Sequence, residues 1–95
     1  MITALVLLRV ERDRVSAVAE KLAEMEGITE VYSVAGRYDL VAVIRVKENE
    51  TLAELVTNHI RMVKGIERSE TLMAFRVYSR YDLEMAFSIG MEGKR

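Results

Sequence analysis

Gly36-Arg37-Tyr38-Asp39 places an unhindered backbone, a guanidinium, a phenol and a carboxylate in four consecutive residues. Asp39 can accept a charge-assisted hydrogen bond from a cationic group. Backbone N–H groups near Gly36 can approach an anion, because no side chain stands in the way. Tyr38 can form an aromatic wall with a polar tip. Ser69 and Thr71 lie two residues apart, share one face of a strand, and can each donate or accept. Each residue also has an ordinary role. Gly36 and Asp39 are turn formers, Tyr38 is a packing residue, and Ser69 and Thr71 are strand-edge polar residues. His59, the only histidine, lies at helical spacing from Leu55, Val56 and Val63 and reads as completing a helix-packing face. The sequence around it offers no evident carboxylate orienter and no serine or cysteine nucleophile motif. One histidine is also too few to hold a metal. No catalytic residue, metal site or cofactor is expected.

The elements that position these residues follow from periodicity. Ile2 to Val10 is an aliphatic and β-branched run of strand length. A helix follows, with Asp13 as the expected cap and Val15, Val18, Ala19, Leu22 and Met25 as its apolar stripe. Gly27 ends it. Strands are expected over 28–35 and 40–46, with a reversal at Gly36 between them. A second helix is expected to open at Thr51-Leu52-Ala53-Glu54, which matches a capping box. Its stripe is Leu52, Leu55, Val56, Ile60 and Val63, and Gly65 ends it. A fourth strand is expected over about 70–78. The sequence divides into a domain over 1–79 and a helical tail or arm over 80–95. Arg37-Tyr38-Asp39-Leu40 recurs as Arg80-Tyr81-Asp82-Leu83. Ser79 replaces the glycine there, so the second copy is not read as a second site.

The order βαββαβ, with Arg-Val closing a strand in each half and Gly-Ile opening the next, suggests a duplicated unit. The expected class is α+β: a ferredoxin-like layout with four antiparallel strands and both helices on one face. In that layout the first and third strands are central, and neither alternates apolar with polar residues. Leu5 and Leu7 oppose the helix-facing set of the first strand, and Val41 and Val43 oppose that of the third. Two helices cover one face only. A second subunit packing sheet to sheet is the expected cover, which makes a dimeric α+β barrel with Leu5, Leu7, Val41 and Val43 at the interface.

Composition narrows the function classes. Ninety-five residues, half of them hydrophobic and about a third charged, describe one globular domain. The absence of cysteine removes disulfides, thiol nucleophiles and cysteine metal sites. A net charge of −1 gives no electrostatic reason to expect nucleic acid. The N-terminal run reads as a first strand and not as a signal peptide, and no apolar run spans a membrane. A cytoplasmic location is the default.

With Gly36-Arg37-Tyr38-Asp39 between two strands, and Gly65-Ile66-Glu67-Arg68-Ser69-Glu70-Thr71 entering the last, the chain resembles a known family. It is similar over about residues 2–78 to the effector-binding (RAM) domain of the Lrp/AsnC transcriptional regulators. The resemblance implies amino-acid binding in clefts between subunits, with the Gly-x-Tyr-Asp loop lining the cleft and dimers joined into rings. It implies a ligand set of Gly36, Arg37, Tyr38, Asp39, Ser69 and Thr71. Asp39 would meet the ammonium of a free amino acid, and backbone N–H groups near Gly36 its carboxylate. The sequence opens at the first strand without the family's helix-turn-helix, so it resembles the stand-alone form, and direct DNA binding is not expected. Three alternatives stay open: a small enzyme of the dimeric α+β barrel class using His59, an RNA-binding ferredoxin-like domain, and a modulator that co-assembles with a full-length regulator. The RNA reading is weakest, since the central strands carry no aromatic residue.

Overall fold

The computed structural model describes residues 1–78 and Arg80. Its elements are β1 (Ile2–Val10), α1 (Val15–Ala23), β2 (Ile28–Ser33), β3 (Leu40–Val46), α2 (Asn49–Glu54) and β4 (Ile66–Met73). One 3-10 turn, Arg12–Arg14, leads into α1. The expected helical tail beyond residue 80 lies outside the described residues.

The four strands form one antiparallel sheet in the order β2-β3-β1-β4. The helices lie on one face, so this is the ferredoxin-like α+β fold that the βαββαβ order implies. β1 and β3 are central, and their register pairs Ile2 with Val46 through Leu8 with Leu40. On the helix-covered face Ala4, Val6, Leu8, Leu40, Ala42 and Ile44 are all fully buried. They pack in one cluster with Val18 and Leu22 of α1 and with Leu52, Leu55 and Ile60 of the second helical segment. Withdrawing one large aliphatic side chain from water contributes roughly 1.5–3 kcal/mol. Truncating Leu8 or Ile44 to alanine would cost about 2–5 kcal/mol, because the cavity adds to the lost transfer energy.

The second helical segment is not a regular helix. After Glu54 the chain widens into a π-turn over Leu55–His59 and then tightens into a 3-10 turn over Ile60–Met62. The Ile60 N–H donates to the carbonyl of Leu55, five residues back. The apolar spacing explains this. Leu55 and Ile60 must both face the core, and five residues of strict α-helix would turn Ile60 well away from it.

Several expected boundaries differ. Asp13 does not cap α1; it sits inside the 3-10 turn, and the helix starts after Arg14 without a side-chain cap bond. Thr51 is likewise not a cap. It lies within α2, whose N-cap is the extended residue Glu48, again without a side-chain bond. Strand β2 stops at Ser33 and not at residue 35. Strand β4 runs from Ile66 to Met73 and not over 70–78, because its bounds are set by its partner. Ile66 pairs with Val10 at one end of β1, Met73 with Ala4, and the Ala74 N–H donates to Thr3 at 2.9 Å. Beyond Thr3, β1 has little strand left to pair with.

Gly27 and Gly65 each precede a strand in the left-handed region, with φ of +99° and +105°. Their carbonyls accept from Arg45 N–H at 2.9 Å and Glu11 N–H at 2.8 Å, so corresponding points of the two halves are tied alike. No helix among the described residues is long and apolar enough to cross a membrane.

Candidate functional site

Between β2 and β3, residues 34–39 form a loop at one end of the sheet. The Val34 N–H donates to the Asp39 carbonyl at 3.0 Å and closes it. Gly36 has φ +123°, and a Cβ added there would meet nothing within 4 Å. The glycine is therefore needed for backbone conformation and not for space, and the loop tip projects into the open. Arg37 is exposed beside it.

Asp39 is fixed to β1 at two points. Its N–H donates to the Leu8 carbonyl at 2.8 Å, and its carboxylate Oδ2 accepts from the Val10 N–H, also at 2.8 Å. The β1–β3 pairing ends at Leu8 and Leu40, just as the chain enters β3, so a side chain supplies the acceptor for Val10. Asp39 is thus more than a turn former: its carboxylate is held in place at the end of the central strand pair. A carboxylate offers about four acceptor positions, and this bond uses one.

Tyr38 reaches the other way. Its hydroxyl donates to the Glu70 carboxylate on β4 at 3.2 Å. Glu70 pairs with Leu7, so it lies on the sheet face away from the helices. That face carries two apolar rows. One runs Tyr32, Val41, Leu7, Glu70 across the four strands, and the other Glu30, Val43, Leu5, Leu72. Leu5, Leu7 and Val41 are half-buried, Val43 is 7% exposed, and Leu72 is 44% exposed at the margin. The residues expected at an interface therefore do form one contiguous patch. Tyr38 and its partner Glu70 border it.

Ser69 and Thr71 do not join the loop within one chain. Ser69 pairs with Leu8 and Thr71 with Val6, which places both on the helix-side face. They share a face, as their spacing requires, but it is opposite the one that Tyr38 and Glu70 occupy. Ser69 instead edges a shallow depression with Val56 and Arg61.

His59 departs from its expected packing role. Its side chain is 55% exposed, and its Nε2 lies 3.9 Å from Glu54 Oε1. Glu54 Oε2 also accepts from Asn58 Nδ2 at 2.7 Å. In a strict α-helix, residues five apart do not face each other; the π-turn brings Glu54 and His59 together. Sequence reading missed this pair because it assumed regular helix. It also missed Glu70, which shares the outward face of β4 with Arg68 and Leu72 and gave no distinct signal.

Residues 3–83 match the family model described as the Lrp/AsnC ligand binding domain. Among curated relatives, the HTH-type transcriptional regulator FL11 of Pyrococcus furiosus is 34% identical over 77 residues, covering 81% of this chain and 50% of that protein. The chain therefore spans about half the length of the curated relatives it matches. Among solved structures, TTHA0845 from Thermus thermophilus superposes with a TM-score of 0.79 at 52% identity, covering 84% of this chain and 100% of that one. The Neisseria meningitidis transcriptional regulator NMB0573, solved as a complex with L-Met, gives a TM-score of 0.75 at 9% identity, covering 83% of this chain and 53% of that one. At that identity the likeness is one of fold alone.

Proposed function

We propose a function from one premise: this chain belongs to the Lrp/AsnC ligand-binding domain family. It is a non-enzymatic binding and assembly module that takes a free α-amino acid beside the Gly36–Asp39 loop, in a cleft between subunits. The observation that carries the reading is the Asp39 carboxylate, pinned by the Val10 N–H at 2.8 Å. It is positioned before any ligand arrives, so an ammonium group finds an ordered acceptor, and less ordering free energy opposes binding. Backbone N–H groups at the open Gly36 tip suit the ligand carboxylate, and Arg37 can reinforce them.

The cleft needs a second subunit. Ser69 and Thr71 face away from Tyr38 within one chain, so they can contribute only from a neighbouring copy. The patch of Leu5, Leu7, Val41 and Val43 supports sheet-to-sheet dimerisation, and dimers joined further into a ring would set loops of one pair against strands of the next. Relatives named as transcriptional regulators support a regulatory role in place of an enzymatic one. Because a fold neighbour was solved with L-Met, methionine is the first ligand to try.

The test is calorimetric titration of the purified chain with each of the common amino acids. Mass spectrometry of denatured protein should come first, to find any retained ligand. At about 100 times its dissociation constant, a ligand that binds only the native state stabilises it by about 2.7 kcal/mol. If no amino acid binds and none is retained, the sensing reading fails and only assembly remains.

A further inference from the structure

We propose that the groove between α1 and the π-turn segment binds a small phosphorylated ligand. It is a cavity of about 510 Å³ in which Arg14, Lys21 and Lys64 converge with Asn58 and His59 over an apolar floor that includes Val18. Val18 and Lys21 share one face of α1 by their spacing, and Arg14 ends the 3-10 turn that leads into it. Glu20 of α1 and its C-cap Glu24 are not among the lining residues, and among the described residues no carboxylate lines the groove. Glu54 stands at the rim and belongs to the neighbouring depression. There it holds Asn58 and His59 in place, which leaves the three fixed cations as the source of the field. Among the described residues the only contact between a carboxylate and a basic side chain is Glu54–His59, so Arg14, Lys21 and Lys64 line the groove without a described carboxylate partner.

Two further observations single this groove out from an ordinary solvated surface. Arg14 Nε is buried without a hydrogen-bond partner among the described residues, where buried donors are ordinarily satisfied. Its stem lies across Gly65, and a Cβ built on that glycine would sit 3.0 Å from Arg14 Nε. The glycine thus leaves room for the Arg14 side chain to pass close to the backbone. The opposite wall is the π-turn over Leu55–His59, an irregularity that recurs at functional sites. Here it puts Asn58 and His59 among the lining residues.

Three clustered cations repel one another and gain most from a multiply charged anion. A phosphate monoester or diphosphate supplies two or more charges in compact form, whereas a single carboxylate leaves positive charge unmatched. The apolar floor suits an organic remainder. Duplex nucleic acid fits poorly, since the chain carries a net charge of −1.

The experiment is isothermal titration of the full chain with ADP and, separately, with inorganic pyrophosphate. Both are expected to bind, with affinity falling as salt rises. Tighter binding of ADP identifies an organic phosphate as the ligand, and equal binding identifies the free diphosphate; either supports the site. Lys21→Glu and Lys64→Glu change exposed residues, and each should lower affinity at least about tenfold, or about 1.4 kcal/mol, with the light-scattering mass unchanged. Asp39→Asn should leave ADP binding untouched, which separates this groove from the loop site. No heat with either probe at millimolar concentration, wild-type affinity in both lysine variants, or binding to duplex DNA alone would overturn the proposal.

Discussion

Replacing Asp39 by alanine and by asparagine separates its two roles. Alanine removes the acceptor for the Val10 N–H, now held at 2.8 Å. Val10 is only 4% exposed, so water replaces that acceptor poorly. A buried donor left without a partner costs about 1–3 kcal/mol. In a domain of this size each kcal/mol moves the melting point by roughly 4–8 °C, so Asp39→Ala should melt several degrees below the wild type. Asparagine keeps a side-chain oxygen at the same reach and can still accept from Val10. It loses only the extra strength of a charged acceptor, about 1 kcal/mol or less on the same scale. Its melting point should therefore stay near the wild type. Binding should show the reverse sensitivity, because the ammonium of an amino acid is attracted by charge and not by an amide oxygen. Thermal unfolding without ligand, at one fixed protein concentration, gives the first quantity, and calorimetric titration gives the second. If Asp39→Ala melts with the wild type, the Val10 bond does not hold the loop. If Asp39→Asn binds amino acids as tightly as the wild type, the carboxylate is not the ammonium acceptor.

Four further outcomes are expected. Val43→Glu or Leu7→Glu puts an unpaired carboxylate into the proposed interface, at a cost of several kcal/mol, and light scattering should show a smaller particle; an unchanged mass refutes that interface. Gly27→Ala should destabilise more than Gly36→Ala in urea unfolding. Both have positive φ, but at Gly27 the new Cβ also meets Val46 Cγ1 at 3.1 Å and Leu55 Cδ2 at 3.2 Å, whereas at Gly36 it meets nothing; strain alone costs about 1–2 kcal/mol. The Tyr32 hydroxyl donates to the Glu30 carboxylate, and this bond with the adjacent negative charge holds the phenol pKa above its ordinary 10.0. The contribution to stability is complete below pH 10 and is lost as pH rises through the raised pKa, so Glu30→Gln should move a tyrosine absorbance transition to lower pH. Finally, this chain alone should give no sequence-preferring gel shift at physiological salt, given its net charge of −1.

The central strands were legible because β1 and β3 are mostly aliphatic runs, broken only by Thr3 and Arg9 in one and Arg45 in the other, and their bounds coincide with their hydrophobic limits. β4 was not. Its residues Glu67, Arg68, Ser69, Glu70 and Thr71 carry little apolar signal, and an edge strand takes its length from its neighbour. The helix caps were misplaced for a related reason, since Asp13 and Thr51-x-x-Glu54 satisfy a local pattern that the tertiary start of each helix overrides. At the site, Gly36 and Asp39 were visible as turn chemistry, but the bond from Val10 joins residues 29 apart and needs the β1–β3 pairing before it can exist. The groove was hidden because each helix read alone shows a solvated mixture of charges. Arg14 and Lys21 meet Lys64 only once both helices lie on the sheet, and the five-residue step from Leu55 to Ile60 was the sole sequence trace of the π-turn.

The strand order has a consequence for biogenesis. β1 occupies an inner position between β3 and β4, yet it is the first strand of the sheet to be made. Neither neighbour exists when it emerges, and its second neighbour is complete only at Met73. At roughly 5–20 residues per second, about 3–13 s pass between the synthesis of Val10 and that of Met73. Both hydrogen-bonding edges of this nine-residue, mostly aliphatic strand lack a partner until β3 is made, and the edge that pairs with β4 lacks one throughout that interval. Nascent chains of this protein are therefore expected to hold a chaperone on residues 2–10 until translation passes β4, and stalling before that point should leave them bound.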